Sequence, residues 1–219
     1  GGENVVIGSL AGQDLTSASQ TILIGKNAGM NLTTGTYNTV MGYDALKASV
    51  GGTYNVALGW MAMRYHSQAA SAYNVCVGSK AMYNIETGIN NVVLGDSAMY
   101  GKLGTTNSEN IAIGSSALYY ASGAINNVAI GSSALNATTT GDNNTAIGLY
   151  AGINNTTGTG NVFIGANAGA NTGHDTESNK LVIANSNTTT PLIDGDFSSP
   201  ALTVNAGLTA HGLRPVTDN

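Results

Sequence analysis

The chain is poor in charge. Of its 219 residues only 9% are Asp, Glu, Lys or Arg, against about 25% in an ordinary soluble domain. It holds 1 Cys, 1 Trp, 2 Phe and 3 Pro. Each shortage excludes something. The single cysteine, Cys76, rules out an intrachain disulfide framework and stands where neighbouring repeats carry Ala or Val, the place of a buried thiol. With 7 basic and 12 acidic residues and a formal charge of -5, no clustered Lys and Arg is present to neutralise phosphates, so nucleic acid is not an expected partner. No apolar run approaches the ~20 residues that span a bilayer, and membrane insertion is not expected. Phosphate loops, zinc-ligand spacings and other cofactor signatures are missing, so no cofactor or metal is expected. Apolar residues make up 42% of the chain, but many are Ala. Such a chain suits thin, tightly stacked layers, not one thick core. It opens on Gly1 and enters a repeat at once, with no initiating Met or signal peptide in view, so the start reads as truncated.

What is abundant is Gly, at 30 residues, and it is periodic. Apolar triplets end on Gly8, Gly25, Gly42, Gly59, Gly78, Gly95, Gly114, Gly131, Gly148 and Gly165, at spacings of 17 except for two of 19 (Gly59 to Gly78 and Gly95 to Gly114). Four residues before the Gly, nine of the ten units carry Asn; Thr21 is the exception. Three residues after it, all ten carry Ala, from Ala11 to Ala168. These are units of construction.

Triplets such as Val5-Val6-Ile7 and Val92-Val93-Leu94 are β-branched and apolar throughout. In a strand the outer two residues face one way and the middle one the other, so both faces need shelter. One face lines the interior of the coil; the other meets a neighbour. The closing Gly marks a positive φ or a close backbone approach. A second turn signal, such as Thr34-Gly35, Thr140-Gly141 and Thr157-Gly158, recurs seven residues before the next closing Gly. Each unit is therefore expected to hold two short strands and two turns, one circuit of an all-β, parallel β-solenoid (β-roll) with ~17-residue coils. Stacked Asn residues would form a ladder, and ten coils would make a rod about 45 Å long. A hexapeptide solenoid does not fit. Steps of six from Ile130 land on Asn136 and Asp142, where aliphatic residues would be needed.

A single coil buries too few large side chains to offset the ordering of its backbone. The second apolar face, shared with other chains, is the natural remedy, so a homotrimer of intertwined parallel solenoids is expected. Residues 1–170 read as the solenoid, 171–178 (NTGHDTES) as a polar linker, and 179–219 as a C-terminal segment of strands wrapped among the three chains.

Two stretches carry resemblances. Asn127-Val128-Ala129-Ile130-Gly131 and Asn144-Thr145-Ala146-Ile147-Gly148 are similar to the head repeat of trimeric autotransporter adhesins (YadA-like heads). That resemblance covers about residues 3–170 and implies a trimer of parallel β-rolls. Asn179 to Ser186, followed by Pro191-Leu192-Ile193-Asp194-Gly195-Asp196-Phe197, resembles a segment of bacteriophage tail fibres and tailspikes. In those proteins it leads into an endosialidase-type intramolecular chaperone that removes itself after assembly. The chain stops at Asn219, about where such a chaperone would begin. The resemblance thus implies a C-terminal chaperone partner and an end left by self-cleavage; a sequence cut at that point would end in the same way.

Together the resemblances imply the structural, receptor-binding part of a trimeric phage tail fibre, on the virion tail and extracellular. Its partner would be a host cell-surface glycan or outer-membrane receptor. An adhesin head and a polysaccharide-cleaving tailspike are the alternatives. A glycan-cleaving site needs two carboxylates across a cleft, and no pair stands out among the scattered acids, so binding without catalysis is expected. The candidate contacts are aromatic. Insertions in solenoids become loops, often on a binding face, and the first 19-residue unit holds Trp60, Arg64, Tyr65 and His66. Tyr100, Tyr119 and Tyr120 follow in the coil order. Rings stack on sugar faces while Arg and His bond hydroxyls; equally, these side chains suit grooves between chains. His174, Asp175 and Glu177 fit a solvated hinge better than a cation site, and His211 is a single residue.

Overall fold

The apolar triplets form strands because β-branched residues pack well in an extended, half-buried backbone. In the computed structural model, which describes residues 2–67, 72–171, 174–199 and 201–205, each unit contributes one of them. In chain order they are β1 (Val5–Ile7), β2 (Ile22–Ile24), β3 (Thr39–Met41), β4 (Val56–Leu58) and β5 (Val75–Val77). The short β6 (Ile85–Thr87) and β8 (Thr105–Thr106) flank β7 (Val92–Leu94). Then come β9 (Ile111–Ile113), β10 (Val128–Ile130), β11 (Thr145–Ile147) and β12 (Val162–Ile164), and finally β13 (Lys180–Ile183), β14 (Ile193–Asp196) and β15 (Ala201–Val204). The triplet strands stack parallel and in register, as with Val128, Ala129 and Ile130 opposite Thr145, Ala146 and Ile147. No described residue is helical. The chain is a parallel β-solenoid with ~17-residue coils, as the spacing predicts.

Each coil holds one regular strand, and among the described residues the expected second strand forms only where β6, in the 17-residue coil after Gly78, pairs with β8 in the 19-residue coil that follows. Elsewhere the return path is a chain of turns. Left-handed backbone recurs at fixed places, including the second and fourth residues after the closing Gly: Ser116 (φ 57°), Leu118 (φ 52°), Ser133 (φ 55°) and Leu135 (φ 50°). Left-handed Leu costs roughly 1–2 kcal/mol. The stack offsets it by giving each such amide a carbonyl one coil on: Leu118 N donates to Ala134 O (3.0 Å) and Leu135 N to Ala151 O (2.9 Å).

Two columns fix the rise from coil to coil. At Gly131 φ is 131°, and a Cβ there would run into the backbone carbonyl of Gly148; the other closing glycines repeat this approach. The Asn column forms the expected ladder. Asn127 N donates to Asn110 Oδ1 (2.9 Å), and Asn127 Nδ2 donates to Gly141 O (2.9 Å) in the next coil's second turn. Asn144 repeats both bonds against Asn127 Oδ1 and Gly158 O. At the exception, the Asn38 amide reaches Thr21 Oγ1 at 3.4 Å, a longer bond.

The core lies between the strand and the turn opposite it, and its volumes complement one another. In four coils a small middle strand residue (Ala57, Cys76, Ala112, Ala129) is matched by a large fourth residue after the Gly: Met63, Met82, Leu118, Leu135. At Ala146 that residue is Gly152, and the Phe163 ring of the next coil fills the space. Where the strand residue is large, glycines stand opposite. A Cβ at Gly29 would press into Leu23, and one at Gly152 or Gly169 into the Phe163 ring. Burial raises the Cys76 thiol well above its usual range, as an inert core residue requires.

The stack continues past the tenth coil. β13 pairs parallel with β12, so Lys180 and Ala184 occupy the Asn and Gly places. Lys180 N donates to Asn161 Oδ1 (2.8 Å), and the polar segment before it is packed, with Glu177 O accepting from Asn161 Nδ2 (2.8 Å). Beyond it the chain reverses: β14 and β15 add antiparallel. Lys180 Nζ meets Asp196 Oδ2 at 3.0 Å. His211 lies outside the described residues, as does most of the chain after β15.

Candidate functional site

The outer two residues of each triplet point away from the core and form one continuous aliphatic wall. Ile7, Ile22, Met41, Val77, Val92, Ile111, Ile147 and Ile164 all lie at its exposed surface, whereas the middle residues of the triplet strands from β2 to β12 are fully buried. Exposed apolar surface on this scale marks an interaction face. At its C-terminal end Ile164, Ile183 and Leu192 border a hollow of about 510 Å³.

The turn across the core carries the aromatic side chains, and here the residues singled out in the sequence separate. Trp60, one residue after Gly59, is exposed, with Lys80 Nζ 5.0 Å from its ring centre. Arg64 and Tyr65, five and six residues after the same Gly, are half-buried in another cluster. Arg64 Nη2 pairs with the buried Asp44 carboxylate (3.0 Å), and Nη1 donates to Tyr65 Oη (3.1 Å) and Tyr83 Oη (3.0 Å). Asn27 Nδ2 donates to the other Asp44 oxygen (2.7 Å). Thus Arg64 ties three coils together, and its guanidinium is committed within the protein.

His66 is a correction. Expected among the surface contacts, it is fully enclosed, because it occupies the inward column of Leu32, Ser49, Ile85 and Ala121. Among the described residues neither ring nitrogen has a hydrogen-bond partner. Burial lowers its pKa to about 4, with the Ile85 backbone offsetting this only in part. Local composition groups it with Trp60 and Tyr65; its place in the repeat separates it from both.

Tyr100, Tyr119 and Tyr120 do come together, joined by a residue the sequence reading missed. Tyr83, Tyr100 and Tyr119 all stand five residues after their closing Gly and stack with ring centres 5.0 Å apart; Tyr65 meets Tyr83 edge-on at 5.2 Å. Their spacings of 17 and 19 are the repeat's own, a signal available in the sequence. Tyr120 meets Tyr119 edge-on at 4.8 Å and is 57% exposed. Burial, with smaller effects of Tyr100, Tyr120 and Asp96, raises the Tyr119 phenol above its usual range. The second 19-residue unit places its extra length beside this ladder: Lys102, Leu103 and Gly104 are exposed after Gly101. Loop and ladder together border a cleft of about 740 Å³.

A second ladder, Tyr37–Tyr54–Tyr73, stacks at 4.8 Å beside the strand wall, five residues before the closing Gly. Tyr54 has a ring on both faces, and Tyr37 and Tyr73 each stack one face on it. At the C-terminal end His174 Nδ1 meets Glu177 Oε2 at 2.8 Å. Comparison with protein families, with curated proteins and with solved structures returns no match to this chain.

Proposed function

We propose that this chain is the structural, receptor-binding segment of a trimeric fibre of the phage-tail kind. On this reading it assembles through its strand wall and attaches, without catalysis, to a glycan or outer-membrane receptor on a host cell. The observation that carries the proposal is the wall itself. The outward residues of the triplets are aliphatic over ten successive strands, with Thr39 and Thr145 the departures, on a chain whose other surfaces are rich in Asn, Ser and Thr. Polar substitutions there would cost a solitary solenoid nothing. Three copies placing these walls together bury an apolar interior that each coil lacks alone.

The attachment part is supported by the opposite turn. It carries tyrosines and an extended loop, and it stays free when the strand walls meet. Three equal sites on one rigid rod gain avidity through effective concentration. A host-attached fibre of this kind would work on the virion tail, outside the cell.

The mass of the full chain in dilute solution tests assembly: three chains are expected, and a folded, heat-resistant monomer overturns the reading. Adsorption of labelled protein to a panel of bacterial strains tests attachment, and replacing Trp60 and Tyr120 together by Ala is expected to weaken it at least about tenfold. Shortened chains after incubation with surface polysaccharide would end the non-catalytic claim.

A further inference from the structure

The cleft beside the second insertion has the chemistry of a specific site, and we infer that it binds a carboxylate-bearing oligosaccharide. In this arrangement one sugar ring lies on Tyr120 and its carboxylate meets Lys102. The inference rests on the receptor-binding reading above and names the ligand class.

The first argument is shape and lining. About 740 Å³ falls within the range of small-molecule sites. The lining joins the apolar surfaces of Tyr119, Tyr120 and Leu103 to the Ser122 hydroxyl and the oxygens of Asn84 and Thr139, whose own donors bond Gly101 O and Thr156 O. A sugar has this division: an apolar C–H face and a hydroxyl edge. Tyr120 is the ring available to it. Tyr83, Tyr100 and Tyr119 stack on one another, whereas Tyr120 touches the ladder only edge-on and remains 57% exposed.

The second argument is charge. Lys102 is one of only 7 basic residues in a chain of formal charge -5. Among the described residues Arg64, Lys47 and Lys180 sit in ion pairs, Lys26 and Lys80 lie against the Tyr43 and Trp60 rings, and Lys102 has neither kind of contact. The cleft is lined by no carboxylate. A cation outside any ion pair, in a cleft lined by no acid, favours an anionic ligand.

The third argument is construction. The loop exists because this unit has 19 residues instead of 17. It is held at both ends: Gly101 N donates to Tyr119 O (2.9 Å), and Thr105 Oγ1 donates to Lys102 O (2.6 Å). The Lys102 backbone is therefore fixed beside the ladder, which lowers the ordering cost of binding.

Titration calorimetry of the full chain with trigalacturonate, sialyllactose and, as neutral control, maltotriose tests the assignment. At least one acidic sugar is expected to bind and maltotriose not. Tyr120→Ala should weaken that binding at least about tenfold. Lys102→Gln should weaken it about fivefold and flatten its salt dependence. Lys26→Gln, which removes a charge outside the cleft, should leave it unchanged, and circular dichroism and solution mass check that each variant is folded. Binding of maltotriose as strong as that of the acidic sugars, or acidic-sugar binding that survives both cleft substitutions, overturns the proposal. So does failure of both acidic sugars to bind. Cell adsorption measured in parallel separates the two levels: cells bound without acidic sugars sinks the cleft alone, whereas no adsorption to any strain sinks the receptor reading.

Discussion

The two walls of one coil obey different rules. On the strand wall the same few residue types recur from β1 to β12, and the backbone approaches its neighbour so closely that Gly8 through Gly165 admit no Cβ. On the opposite wall the fifth residue after the Gly varies freely, from Lys47 and Arg64 through Tyr83, Tyr100 and Tyr119 to Asn136. Both walls use the same coil-to-coil hydrogen bonds. The difference is whether the side chain stands in the path of the stack or points out of it. Structural demand is concentrated on one wall, leaving the other open to recognition.

The contrast can be broken most severely at the glycines. Gly131→Val puts a β-branched side chain at φ 131° and against the Gly148 carbonyl. A loss on the order of 5 kcal/mol is expected from backbone strain and overpacking together, read from the denaturant midpoint. Next comes Asn127→Ala. It leaves the Asn144 amide and the Gly141 carbonyl without their buried partners, and roughly 4 kcal/mol should go. A loss below about 1 kcal/mol would show that water replaces the ladder.

His66 tests the inside of the variable wall. Its pKa is about 4 in the folded chain against 6.5 unperturbed, so between those values the unfolded chain binds more protons. The stability from keeping His66 neutral is fully present above pH 6.5 and is lost as the pH falls toward 4. The loss amounts to about 3 kcal/mol. His66→Leu, which restores the residue type of Leu32, should remove that part of the acid sensitivity. An unchanged pH profile would show the ring to be protonated or solvated in the native state.

The smallest effect is expected on the exposed side of the same wall. Tyr120→Ala should move stability by no more than about 0.5 kcal/mol, measured by thermal unfolding, although it removes most of the exposed ring. A shift of several degrees would instead make the tyrosines structural and erase the distinction between the walls.

Much of this was legible in the sequence, because Gly, Asn and Ala each answer a requirement that one residue type meets. Closing glycines read as positive φ and close approach, and they have both. The second strand was not legible. Thr140-Gly141 and its counterparts do mark a turn, yet the residues before it alternate into left-handed backbone and bond forward one amide at a time, leaving no extended run. β13 lies in the segment read as strands, but its place in the parallel stack was not legible, for the converse reason. Lys180 and Ala184 lack the expected side chains, but a ladder acceptor needs only an amide from the next coil, and any non-Pro residue supplies it. The size exchange between Ala57 and Met63, or Phe163 and Gly169, was present in the sequence but required two columns to be read against each other. His66 shows the same lesson in reverse: neighbours along the chain are a poor guide when alternate side chains face opposite ways.

The in-register ladder has one more consequence. Because every unit touches only the units above and below it, and the backbone ladder is the same at each step, adding or deleting a whole unit would shift the far end by one step of about 4.8 Å and re-form that ladder at the join. Reach is then quantised, and duplication or loss of a short stretch of gene could retune how far the molecule extends while both ends keep their form.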